Sequence, residues 1–278
     1  MEISKLRLLD LFSGIGGFSL GLERSGGFET VAFCEIEDFP RRVLAKHWPK
    51  VPCYHDIREL TADRLAADGI AVDAICGGFP CQDISNAGKQ AGIEGERSGL
   101  WSEYARLIGE LRPRVVFVEN VSALLGRGLD RVLGDLAALG YDAWWDCIPA
   151  SAVGAPHQRD RLWLVAYAKG KCRWAGPSKT GQIGNWHQPS NRCSDVADAI
   201  SERGRSRDYL RQDAIHADPR SEAVRAGSYS EWWSTEPGFC RVAHGIPDRA
   251  HRLKALGNAV VPQIPELLGR AWMEATNG

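Results

Sequence analysis

Leu8-Leu9-Asp10-Leu11-Phe12-Ser13-Gly14-Ile15-Gly16-Gly17 is the stretch that decides the fold class. An apolar run enters a glycine-rich turn, and Phe18 to Arg24 then reads as a helix. Such a turn lets a ligand come close to the backbone at the start of a helix. The dinucleotide fingerprint is incomplete, because Ser19 stands where a third glycine belongs. A second apolar run, Thr30 to Cys34, ends in Glu35, at about the separation at which an acidic residue holds ribose hydroxyls in nucleotide-binding α/β domains. These features predict a site for a nucleoside without a pyrophosphate. A glycine turn that merely joins strand to helix is the competing explanation.

Further along, Ala71 to Cys76 and Val115 to Val118 read as buried parallel strands. The first leads into Gly77-Gly78-Phe79-Pro80-Cys81-Gln82 and the second into Glu119-Asn120-Val121. A thiol and a carboxyl are therefore expected at strand C-terminal ends, the edge at which open α/β sheets bind their ligands. Cys81 is a candidate nucleophile and Glu119 a candidate proton donor, a pair suited to addition to a pyrimidine ring. Taken singly, Cys81 reads better as a small buried hydrophobe and Glu119 as a strand-end surface charge; it is the surrounding motifs that reverse this.

Strand and helix signals alternate through about residue 167, the pattern of a doubly wound α/β sheet. Leu129, Val132, Leu133, Leu136 and Leu139 form one stripe of a helix that Gly140 stops. Ala143 to Ile148 and Arg161 to Tyr167 read as late strands around a loop holding Gly154 and Pro156. Periodicity fails beyond Lys169. Order returns from Arg241, and Pro262 to Thr276 reads as a final helix packing back on the first domain. The expected division is 1–168 for a catalytic domain, 169–240 for a small irregular domain, and 241–278 for a segment returning to the first.

The chain has 278 residues and a formal net charge of −1, so any field that attracts a nucleic acid must be local. Its 8 cysteines include no CxxC spacing, which argues against a disulfide framework or zinc ribbon and for a reducing compartment. Cys172, His187, Cys193 and Cys240 are too irregularly spaced for a zinc site, so no metal is expected. No long apolar run or cleavable leader is seen, and a soluble, cytoplasmic protein with no membrane partner is expected.

With these residues in view, the chain closely resembles the DNA (cytosine-5)-methyltransferases of bacteria and phages. Asp10 to Gly17 resembles the family's S-adenosylmethionine loop, Glu35 its ribose carboxylate with Ile36 beside the adenine, and Asp56-Ile57 its adenine-contacting pair. Pro80-Cys81-Gln82 resembles the catalytic loop, Arg97 to Trp101 the next cofactor segment, and Glu119-Asn120-Val121 the tripeptide whose glutamate holds the target base. Gln158-Arg159-Asp160-Arg161 is similar to the arginine motif, and Gly257-Asn258-Ala259-Val260-Val261-Pro262 to the C-terminal motif that returns to the cofactor.

The resemblance implies an S-adenosylmethionine-dependent, Rossmann-like sheet that methylates carbon 5 of a cytosine flipped out of double-stranded DNA. It implies Cys81, Glu119, Arg161 and Arg159 as catalytic residues, and Gln82, Ser85 and Arg97 as DNA contacts. Asp10, Phe12, Gly14, Gly16, Gly17, Glu35, Ile36, Asp56, Ile57, Gly78, Pro80, Leu100, Asn258 and Ala259 would bind the cofactor. Ile84 to Gly99 would close over the extruded base, and 169–240, with its arginine series, would recognise the target sequence.

A monomer working on the nucleoid, with a cognate restriction endonuclease as a candidate partner, completes the expectation. Two departures stand out: His157 replaces a glutamine common in the arginine motif, and Gly245 to Leu256 matches no family segment residue by residue. Three other readings stay open: a tRNA cytosine-5 methylase, a catalytically silent DNA-binding regulator, and a nucleotide-dependent oxidoreductase, the last disfavoured by the missing third glycine.

Overall fold

The computed structural model describes residues 4–80, 100–169 and 248–277. Cys81, Gln82, Ser85, Arg97, the 84–99 loop, nearly all of 169–240, and the four residues considered for zinc lie outside the described residues.

Seven strands form one sheet in the order β3-β2-β1-β4-β5-β7-β6. In chain order they are β1 (Leu6–Leu11), β2 (Phe28–Cys34), β3 (Cys53–Tyr54), β4 (Ala74–Gly77), β5 (Val115–Val121), β6 (Tyr141–Ile148) and β7 (Arg161–Ala168). The helices are α1 (Gly17–Arg24), α2 (Asp38–His47), α3 (Ala62–Ala67), α4 (Leu100–Leu111), α5 (Leu129–Ala138), α6 (Arg249–Asn258) and α7 (Gln263–Asn277). The first five strands pair in parallel, because helical crossovers return the chain to the same end of the sheet each time. A loop without a crossover joins β6 to β7, so β7 runs antiparallel and inserts between β5 and β6.

The sheet is buried on both faces, which is why its strands read as continuous apolar runs. On one side Leu9, Leu11, Ile75, Val116 and Leu162 meet Tyr104 and Leu107 of α4 and Val132 and Leu136 of α5. On the other, Leu8, Phe28, Phe117 and Trp163 meet Phe18 and Leu22 of α1 and Ile264, Leu268 and Trp272 of α7. The expected stripe of α5 divides accordingly: Leu129, Val132 and Leu136 are buried, Leu133 and Leu139 pack at its margin, and Gly140 stops the helix at φ +84°.

The C-terminal helix α7 packs on α1, and glycines make the close approach. A Cβ on Gly21 would strike the Pro262 carbonyl, one on Gly27 the Met273 sulfur, and one on Gly269 the Ser25 side chain. Among the described residues no helix is long and apolar enough to cross a membrane.

Candidate functional site

The glycine loop sits where β1 ends and α1 begins. Phe12 leaves the strand with φ +53°, a conformation that costs a non-glycine residue on the order of 1 kcal/mol or more, and its ring stacks on Tyr104 at 6.3 Å. The three glycines then divide their work. A Cβ on Gly16 would stand 2.6 Å from the Trp48 ring and one on Gly17 2.5 Å from the Val260 carbonyl, so both serve packing within the chain. Only Gly14, at φ +53°, has nothing within 4 Å of that position, leaving open space for a ligand.

Asp10 acts on this loop from beneath. It is 1% exposed, and its Oδ2 accepts from the Ser19 hydroxyl at 2.7 Å and the Ser19 amide at 3.3 Å, holding the first turn of α1. Among the described residues, Asp10, expected from the sequence to line the cofactor site, is thus seen to brace the start of α1. Burial pushes its carboxyl up to about 7, while the bonds from Ser19 oppose that shift.

Glu35 stands across the loop at the end of β2. Its Oε2 accepts from the Gly14 amide and its Oε1 from the Glu37 amide, each at 2.7 Å. Desolvation raises its pKa against these two backbone donors. Ile36 beside it is 52% exposed, an apolar surface with no cover among the described residues. Asp56 is held by Arg58, whose Nη2 donates to Oδ2 at 2.6 Å and keeps the carboxyl below its usual range. Ile57 is buried in the core, so its side chain supports the site rather than lining it. Leu100 packs at the margin of the same core, at the start of α4.

The second half of the site lies at the tips of β4, β5 and β7. β5 continues through Glu119 to Val121 because β7 pairs with it, Glu119 opposite Trp163 and Val121 opposite Arg161. Glu119 and Arg161 are thus diagonal neighbours on one face, and Arg161 Nε lies 3.1 Å from Glu119 Oε1. Burial raises the Glu119 pKa, while the charges of Arg161 and Arg159 pull it down. A Cβ on Gly78 would stand 2.7 Å from Glu119 Oε2, so the bare glycine leaves room for the carboxylate in this position and a side chain there would displace it. Asn120, buried beside Glu119, donates from Nδ2 to the Phe79 carbonyl at 3.1 Å. Pro80 follows that latch directly and is the last described residue before Cys81.

Arg159, expected from the sequence as a catalytic residue, is bonded to the C-terminal motif. Its Nη2 donates to the carbonyls of Gly257 and Ala259, each at 2.8 Å, and so clamps the C-terminal motif, including Asn258, over the glycine loop. It influences Glu119 by charge alone. The sequence reading passed over Trp48 and gave Asn120 and Val260, though both lie in motifs it quoted, no role of their own. Asn120 had a signal, its place in the tripeptide with Glu119; the other two act through contacts far apart in sequence.

The loop Phe12–Gly16 carries no basic residue, and Glu35 and Asp56 are acidic. This lining suits hydroxyl and amino donors or a cationic centre and opposes phosphates. No cluster able to hold a metal ion occurs among the described residues.

Comparison with known proteins agrees with this geometry. The chain is 36% identical over 169 residues to the type II methyltransferase M2.BsuMI of Bacillus subtilis, a match covering 58% of this chain and 42% of that protein. It is 33% identical over 170 residues to M.HhaI of Haemophilus parahaemolyticus, covering 60% and 50%. The matched stretch thus spans about half the length of these relatives.

Among solved structures, a prophage-encoded protein of E. coli, assigned as a DNA modification methyltransferase, superimposes with a TM-score of 0.63 at 20% identity, over 99% of this chain and 100% of that one. The S. pombe Dnmt2 methyltransferase gives 0.52 at 21%, over 62% and 52%. At such identities these two speak for the fold alone. The model of the C-5 cytosine-specific DNA methylases matches residues 6–233, most of the chain, and with the strand-tip glutamate, the arginine motif and the glycine loop in their places, the chain belongs to that family.

Proposed function

We propose that this protein transfers a methyl group from S-adenosylmethionine to carbon 5 of cytosine in double-stranded DNA. The observation that carries the reading is the Glu119 carboxylate, paired with Arg161 at 3.1 Å and seated against Gly78, three residues before Cys81. A partly desolvated acid therefore sits against the strand end that leads, three residues on in sequence, into Cys81.

The cofactor's place is supported by the open space at Gly14, the Glu35 carboxylate for the ribose hydroxyls, the exposed Ile36 for the adenine face and Asp56 for its amino group. The acidic lining also favours a positively charged methyl donor. Phe12, Pro80, Leu100, Asn258 and Ala259 would complete its walls. When bound, the cofactor supplies an electrophilic methyl group.

The chain's own residues do the rest. Carbon 5 of cytosine is a poor nucleophile within the aromatic ring. Cys81, as thiolate, forms a bond to carbon 6 and pushes the ring electrons toward N3, where Glu119 delivers a proton. Arg161 fixes the glutamate and balances its charge when the proton has gone. Carbon 5, now enamine-like, accepts the methyl. Loss of the carbon 5 proton to a base then forms the C5–C6 double bond and expels the Cys81 sulfur as thiolate, while N3 gives its proton back to Glu119 and the ring is restored. The target must leave the helix stack, and the energy for this comes from DNA contacts we assign to Gln82, Ser85, Arg97 and the 169–240 domain.

Bisulfite sequencing of DNA from cells expressing the chain tests the reading. Protected cytosines in one recurring sequence are expected. Full conversion everywhere, with methyl transfer to tRNA instead, would refute DNA as the substrate.

A further inference from the structure

Three positions on α4, Glu103, Arg106 and Glu110, hold the segment between β3 and α3 from behind. Arg106 Nη2 donates to the carbonyls of both Ile57 and Leu60 at 2.9 Å. Its other two nitrogens each donate to one of the acids, Nε to Glu103 Oε2 at 2.8 Å and Nη1 to Glu110 Oε1 at 2.7 Å. The other Glu110 oxygen accepts from the Ala62 amide at 3.0 Å. One helix face therefore fixes three backbone groups between Ile57 and Ala62. The side chains of Ile57 and Leu60 are already buried in the core beside α4, and β3 is only two residues long, so what Arg106 adds is a hold on the backbone of the segment.

We propose that Arg106 is a positioning residue for the adenosyl end of the cofactor site. It sets the backbone at Asp56-Ile57 relative to Glu35 without touching the ligand. This rests on the assignment of that pocket to S-adenosylmethionine made above. The guanidinium is suited to the task because its planar fork serves two carbonyls and two carboxylates at once, which a single ammonium cannot do with the same geometry. Its ion pairs are about one-third exposed, so they contribute little to global stability, whereas the carbonyl bonds fix one loop.

The test is Arg106→Lys in the full chain, with S-adenosylhomocysteine affinity by calorimetry, steady-state methylation of duplex DNA, and thermal unfolding. The losses should fall on the cofactor: Kd for S-adenosylhomocysteine and KM for S-adenosylmethionine should each rise about tenfold, the worth of one or two hydrogen bonds. The kcat at saturating cofactor and the affinity for DNA should stay within about twofold of wild type. Glu110→Gln keeps an acceptor for the Ala62 amide and weakens the hold on Arg106, and should shift the same constants in the same direction by less.

Unchanged cofactor constants in both variants, with or without a lower unfolding temperature, would overturn the proposal and leave the pocket assignment standing. So would an equal loss in kcat, DNA affinity and cofactor affinity. Failure of the wild type itself to bind S-adenosylhomocysteine would overturn the pocket assignment and the proposal with it.

Discussion

The Asn120 side-chain amide donates to the Phe79 carbonyl across 3.1 Å, tying β5 to the loop that leads into Cys81. Its own Oδ1 accepts from the Val121 amide at 2.8 Å, which fixes the direction of the donor. One buried side chain thereby sets the separation between the acid and the approach to the nucleophile. Asn120→Ala leaves the carbonyl without that donor, a cost of about 1–3 kcal/mol. We expect a clear drop in unfolding midpoint and a drop in kcat of about tenfold or more, read by urea denaturation and methyl transfer. A kcat equal to wild type would show that the latch does not set catalytic geometry.

Glu119→Gln should keep the fold, since the amide fits against Gly78 and can still meet Arg161 through its oxygen. It should slow methyl transfer about a hundredfold or more, because an amide cannot deliver a full proton to N3. Burial holds the carboxyl above its ordinary value, so its protonated fraction falls as pH rises through that raised pKa. The wild-type rate should lose this acid-dependent part with rising pH, and the variant should lack that dependence. A pH–rate profile shared by the two proteins would remove Glu119 as the donor.

Arg159→Ala removes the clamp on Gly257 and Ala259 while leaving Arg161 in place. Cofactor affinity should fall about tenfold as the Asn258-Ala259 segment loosens, measured by calorimetric titration. If rate fell at saturating cofactor with affinity unchanged, Arg159 would be acting at the base, as the sequence suggested.

Asp10 predicts a pH-dependent stability. Its folded-state pKa of about 7 lies above the unfolded value of 3.8. The favourable contribution is full below the unfolded value and is lost as pH rises through about 7, where the buried carboxyl must ionise. The total change is at most about 4 kcal/mol. Urea midpoints from pH 5 to 8 should therefore fall more steeply in wild type than in Asp10→Asn. Parallel curves would place the titration elsewhere.

Much of the core was legible in the sequence, because parallel strands buried on both faces are continuous apolar runs and α5 carries an unbroken stripe. Short or partly exposed elements were not: β3 has two residues, and α2 buries only Pro40 and Leu44. The insertion of β7 was also hidden, since strand direction depends on the connection and not on residue pattern. It is this insertion that draws Glu119 into β5 instead of leaving it beyond the strand end. Within the candidate site, the positions of Glu119, Arg161 and Glu35 were legible because each lies beside a strand end. The packing duties of Gly16 and Gly17 and the clamp of Arg159 could not be, because their partners Trp48, Val260 and Ala259 are settled only by the fold.

The central claim is that Cys81 attacks cytosine carbon 6, and covalent trapping tests it most directly. A duplex with 5-fluorocytosine at the target position should form a stable adduct with the wild-type protein and S-adenosylmethionine, because fluorine cannot leave carbon 5 as a proton does. Cys81→Ser should bind the same duplex and form none, its hydroxyl being a far weaker nucleophile near neutral pH. An adduct with the serine variant, or none with a wild-type protein that methylates the unsubstituted duplex, would contradict the account.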